Sequence, residues 1–138
     1  MSIVQTQTTS FKKELYEAVH NLSTNTLKIA LYTGNATLNE DTTAYSATNE
    51  VVASGYTAGG NTLTGVTINS SDYTAYVNFA NTFWTAAITA RCALIYNVTQ
   101  GNKSIAVIDF GADKTSTTTF TITMPANTST TALIRSSN

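Results

Sequence analysis

Residues 88–98, Ile88-Thr89-Ala90-Arg91-Cys92-Ala93-Leu94-Ile95-Tyr96-Asn97-Val98, and residues 104–110, Ser104-Ile105-Ala106-Val107-Ile108-Asp109-Phe110, flank the polar break Thr99-Gln100-Gly101-Asn102-Lys103. Two β-rich runs joined by a short Gly-Asn turn predict an antiparallel hairpin. Ala93-Leu94-Ile95-Tyr96 and Ile105-Ala106-Val107-Ile108 are apolar at almost every position, where a strand with one wet face would alternate. This predicts two central strands covered on both faces. Cys92 shares strand parity with Ala90, Leu94 and Tyr96, so it reads as a buried, inert thiol. Asp109 reads as a strand-end carboxylate, facing solvent or paired with Arg91 across the hairpin.

Working outward, the same period of two recurs. Leu27, Ile29 and Leu31 alternate with Lys28, Ala30 and Tyr32, which predicts a strand with one buried face. Residues 62–69 alternate around Leu63, Val66 and Ile68, with a bulge at Gly65. Tyr73, Ala75, Val77 and Phe79 alternate against Thr74, Tyr76 and Asn78, and Phe83-Trp84 reads as a core plug. Residues 117–124 form a Thr/aromatic strand stopped by Pro125, the only proline, and 132–134 close the sheet; Val51-Val52 forms a short strand. Near the start, Phe11, Leu15, Ala18, Val19 and Leu22 recur at helical spacing behind Ser10 as cap, which predicts a helix over about 11–22.

One short helix followed by about seven strands predicts a mainly β fold, an antiparallel β-sandwich or jelly-roll-like barrel with a short N-terminal α-helix. Residues 1–9 read as a flexible arm and 10–138 as a single domain. The core is expected to hold Leu27, Ile29, Leu31, Val77, Phe79, Leu94, Tyr96, Val107 and Phe110. Residues 34–60 are polar and glycine-dense, a connection long enough to suggest function. Tyr45 and Tyr56 are its candidate interface anchors. In the arm, Ile3 and Val4 are the one apolar pair, suited to adding a strand to a neighbour's sheet edge and ordering on assembly.

The 138 residues amount to one domain, and threonine supplies about one residue in five. Charged residues are only 11% of the chain and the net charge is −1, against a usual charged share of about 25%. Seven scattered Lys and Arg do not make the basic patch that phosphate contacts require, so no nucleic-acid partner is expected. No apolar run approaches the ~20 residues of a membrane helix, and residues 1–10 lack the pattern of an export signal. A soluble protein without membrane partner is expected.

Chemistry is sparse. One histidine, His20, and one cysteine supply no multi-ligand metal spacing and no disulfide. No Gly-x-Ser-x-Gly elbow accompanies them. The run 109–114 has acidic spacing but lacks a calcium-loop ligand series. Gly55, Gly59 and Gly60 are turn glycines, since no Lys-Ser/Thr follows. No catalytic residue, cofactor or metal is expected. Tyr32, Tyr45, Tyr56, Tyr73, Tyr76, Phe83 and Trp84 could stack sugar rings if they shared one exposed face.

The segments Ser10-Phe11-Lys12-Lys13-Glu14-Leu15, Leu27-Lys28-Ile29-Ala30-Leu31-Tyr32-Thr33, Ala44-Tyr45-Ser46-Ala47-Thr48-Asn49-Glu50-Val51, Gly55-Tyr56-Thr57-Ala58-Gly59-Gly60, Ala90-Arg91-Cys92-Ala93-Leu94-Ile95-Tyr96-Asn97 and Val107-Ile108-Asp109-Phe110-Gly111 span most of the chain. Together they resemble a family of small virion proteins recurrent in tailed bacteriophages, in which glycine or alanine is common at the position of Cys92. The resemblance implies a non-enzymatic virion component made in the host cytoplasm, with a capsid decoration (cement) protein on the head preferred. It implies the major capsid protein as partner; the Tyr and Thr of the long 34–60 stretch separately suggest a symmetric homo-oligomer, a trimer first and a monomer in solution second. The alternative is a tail or tail-fibre structural module, with sugar binding through exposed Tyr and Trp as its further option.

Overall fold

The computed structural model describes residues 2–137, so Met1 of the arm and Asn138 of the domain lie outside the described residues. The fold is mainly β, antiparallel throughout its named sheets, with one short helix. The main sheet has the order β1-β8-β7-β2-β3, from β1 (Thr6–Gln7), β2 (Leu27–Tyr32), β3 (Asn61–Thr62), β7 (Thr89–Asn97) and β8 (Lys103–Thr115). A three-stranded sheet joins β4 (Thr67–Ser71), β5 (Thr74–Asn78) and β10 (Ile134–Ser137) in the order β10-β5-β4. β6 (Thr82–Trp84) pairs with β9 (Phe120–Ile122) alone.

The expected central hairpin is present as β7 and β8, and both faces of its sheet are covered. Leu27, Ile29, Leu31, Ala93 and Ile95 point into one core with Phe79, Trp84, Phe120, Ile122 and Ile134 from the smaller sheets. This is the sandwich. Ala30, Tyr32, Cys92, Leu94, Tyr96 and Val107 point the other way and form a second core with Ala36 and Leu38. The 34–50 connection therefore does not stand off the body; it roofs the second face of the sheet. β2, expected to bury one face, also buries Ala30 and Tyr32 on the other; the apolar runs of β7 and β8 anticipate a cover there but not the segment that supplies it.

Seven of the nine expected core residues are buried, whereas Val77 and Phe110 are half-buried. Thr62–Asn69 is split: Gly65, at φ +63° beside Ala80, breaks it into β3 and β4. Val51 and Val52 form no strand; only an isolated bridge joins Tyr32 to Glu50.

The helix is shorter than its pattern and starts earlier. α1 runs Thr9–Tyr16, capped by the Thr8 hydroxyl, which accepts from Phe11 N at 3.3 Å, so Thr8 and not Ser10 is the cap. Ala18 adopts φ +59°, which a continuing helix cannot contain. Of the expected stripe only Phe11 and Leu22 are buried, and Leu15 stays 41% exposed. The 1–9 arm is paired with its own chain. Thr6 and Gln7 register with Val107 and Ala106 of β8, and Ile3 bridges in parallel to Leu38. A free sheet edge lies within reach, and its bonds offset the ordering of the segment.

Candidate functional site

Glu50 is a charged residue buried to 6% exposure, and its surroundings explain how. The Tyr45 hydroxyl donates to Oε1 at 2.6 Å, and the Tyr56 hydroxyl donates to Oε2 at 2.6 Å. The Gly59 amide also donates to Oε2, at 2.7 Å. Three donors on one carboxylate offset the desolvation that would otherwise forbid its burial. Tyr56 in turn accepts from the Leu31 amide of β2 at 2.9 Å, and the Tyr96 hydroxyl of β7 donates to the Gly59 carbonyl at 2.7 Å. Tyr45 stacks on Tyr96 with ring centroids 4.7 Å apart. Gly60 fixes the approach: at φ +80°, any Cβ there would overlap the Ile29 carbonyl.

Burial, reinforced by the Glu50 carboxylate, pushes the hydroxyls of Tyr32, Tyr45 and Tyr56 well above the ordinary tyrosine range, and that of Tyr96 up to about 12. These groups are locked as neutral donors. Both carboxylate oxygens are held by donors from the chain itself, so the cluster clamps the roof to the sheet. Tyr56, expected as an outward anchor, is a core residue, and Tyr45 is half-buried in the clamp. Each phenol has a partner inside its own chain, and burial takes Tyr56 off the outer surface. Meeting of residues 45, 50, 56, 59 and 96 leaves no local sequence signal beyond an acid beside tyrosines.

Ile3 packs half-buried against the second core, while Val4 donates its amide to the Leu38 carbonyl at 2.9 Å and keeps 41% of its surface exposed. This pair is therefore seated on its own chain, which corrects the reading of an arm that orders only on assembly. Cys92 is buried with no disulfide partner, and burial pushes its thiol up to about 11, so it is inert. Arg91 and Asp109 do pair, at 3.3 Å. His20 Nδ1 accepts from Asn97 Nδ2 at 2.9 Å, which assigns the Nε2 proton to the bond with Glu14 Oε1 at 2.8 Å. With both ring nitrogens committed, His20 ties the helix end to β7.

Outward-facing features lie elsewhere. Between Asp109 and Lys114 of β8, four residues stand opposite Arg91 alone, with Gly111 at φ +82°. This bulge turns Phe110 towards Phe120, with ring centroids 6.1 Å apart. The two rings, with Ile108, Ile122 and Leu133, line a trench of about 510 Å³ whose rim carries Lys114. The second feature is the β4–β5 hairpin. All five β4 residues are exposed, and Tyr73 at its tip is 94% exposed. Of the aromatic set that could stack sugars, Tyr32, Tyr56 and Trp84 are buried and Tyr45 and Tyr76 half-buried, which leaves Tyr73 and the 61% exposed Phe83 as its open members.

Among the described residues no group of three His, Cys, Asp or Glu is placed to hold a metal ion, and no helix is long and apolar enough to cross a membrane. Comparison with protein-family models, curated proteins and solved structures finds no match.

Proposed function

We propose that this chain is a non-enzymatic structural component of a tailed-phage virion, a decoration (cement) protein that coats the capsid as a homo-oligomer, a trimer, bound to the major capsid protein. The observation that carries the reading is the division of labour among its side chains. Glu50, His20 and the phenols of Tyr32, Tyr45, Tyr56 and Tyr96 are all consumed in fastening loops to the main sheet. What faces outward is a Thr-, Ser- and Asn-rich surface with scattered charges, an apolar trench and an exposed aromatic tip. That distribution suits a rigid body used for contact. Low charge lets polar surfaces meet without large charge desolvation, and a trimer matches the three-fold axes of an icosahedral lattice. The resemblance across six segments of the chain supports the virion setting.

Gold-labelled antibody on purified particles, with copy number from quantitative gel densitometry, tests it. Label over the heads at hundreds of copies per particle is the expected result. Label confined to the tail tip, or a handful of copies, overturns decoration in favour of a tail component. Particles without the protein overturn the virion reading altogether.

A further inference from the structure

The turn linking β4 to β5 places two consecutive non-glycine residues in the left-handed region, Asp72 at φ +52° and Tyr73 at φ +69°. A two-residue hairpin turn of this hand is ordinarily Asn-Gly or Asp-Gly. Asp72 obeys that preference; Tyr73 does not. A bulky side chain held there is strained by about 1–2 kcal/mol, and at 94% exposure it gains no burial within its own chain in return. An exposed aromatic kept at a strained tip is the signature of a contact residue.

The same chain carries a receptor of matching chemistry. The trench beside Phe110, Phe120 and Leu133 holds about 510 Å³, room for a phenol ring and the turn that bears it, and Lys114 stands at its rim. β9, on its wall, pairs only with β6, so its other edge has no strand partner among the described residues. The tip does not reach its own trench. From Ile134↔Val77, next to Leu133, the β10–β5 ladder runs away to Ser137↔Thr74 beside the turn, about 10 Å at the usual rise per residue.

We propose that a second copy of this chain seats its hairpin tip in the trench, with Tyr73 on the apolar floor and Asp72 facing Lys114. The contact joins unlike surfaces, so copies add head to tail, into a ring if the rotation between them closes and a filament if it does not. It stands independently of the virion reading, and purified protein in solution tests it.

Two exposed sites give clean variants, Tyr73→Ser at the tip and Thr121→Arg in the trench. Light scattering on the full chain is expected to show an oligomer for the parent and monomers for each variant, with melting curves confirming that both are folded. Mixed in equal amounts, the two variants should form a heterodimer and nothing larger, because one intact tip meets one intact trench. Lys114→Glu should weaken association about ten-fold by setting like charge against Asp72, and Asp72→Asn in that background should recover most of the loss, since Asn tolerates the left-handed region. A parent monomeric at its highest soluble concentration overturns the proposal, as does an oligomer indifferent to both variants or a mixture that stays monomeric. If a monomeric parent loses attachment to capsids on Tyr73→Ser, the tip belongs to the capsid protein instead.

Discussion

The β7–β8 connection of five residues and the β4–β5 turn of two each place two consecutive residues in the left-handed region and fill those positions differently. The first uses Gly101 at φ +71° and Asn102 at φ +64°; the second uses Asp72 and Tyr73. Glycine and asparagine occupy that region with little or no penalty, whereas tyrosine does not. The first hairpin also sits at the centre of the main sheet, with Cys92, Leu94, Ile95 and Ile105 fully buried, while the second leaves every β4 residue in solvent. One hairpin is chosen for folding and the other for its outer surface, and the contrast shows in residue choice before any contact is counted.

The largest effect should come from the buried hairpin. Leu94→Ala removes a side chain with no exposed surface and should destabilise the domain by about 2–5 kcal/mol in urea unfolding. A loss under about 0.5 kcal/mol would place that strand outside the core.

Alkaline titration probes the clamp fastened to the same hairpin. Tyr96 keeps its proton up to about 12 in the folded chain, against 10 for an ordinary tyrosine. The unfolded state therefore releases its proton first, and stability, full below pH 10, falls between pH 10 and 12. The slope is on the order of 1 kcal/mol per pH unit for each such tyrosine. Urea midpoints measured across that window should drop while tyrosinate absorbance stays low until unfolding. Tyr56→Phe deletes one donor to Glu50 and should shrink the drop.

The two turns permit mirror-image substitutions. Gly101→Ala meets no neighbouring atom, so its cost is conformational alone, and thermal melting should show a loss of about 1 kcal/mol. Tyr73→Gly relieves the strained position and should gain up to about 1 kcal/mol once the greater freedom of the unfolded chain is deducted, while abolishing self-association. Equal responses in sign would break the contrast between the hairpins. The smallest effect belongs to Ile68→Ala on β4: with 51% of its surface already exposed, it should shift stability by less than about 0.5 kcal/mol.

Legibility in the sequence followed the same division. The β7–β8 pairing and the buried Cys92 could be read directly, because a buried strand writes its neighbours into a run of apolar residues; the Arg91–Asp109 contact was one of two readings open to Asp109. The roof over the second face could not. Residues 34–50 bury only Ala36, Leu38 and the Glu50 carboxylate within a polar stretch, and their anchoring rests on hydrogen bonds between positions distant in the chain. Tyr45 and Tyr56 looked available for partners for that reason. Helical spacing from Phe11 to Leu22 overstated α1 because Ala18 and the His20–Glu14 bond turn the chain back, a tertiary override of a local period. Tyr73 shares the parity of Val77 and Phe79 in its run, and the reversal of the chain at Asp72 sends it outward.

The pairing of Thr6 with Val107 has a consequence during synthesis. Residue 6 leaves the ribosome about a hundred residues ahead of its partner strand, which at 5–20 residues per second is a wait of roughly 5 to 20 s. Throughout that interval β1 has no ladder to join, and Ile3 has Leu38 within reach but not the β8 edge that lies beside it. Closure over so long a separation is slow once it becomes available. The nascent chain thus carries an unpaired edge-seeking strand until β8 is complete, and crowded polysomes are where two such strands would first exchange.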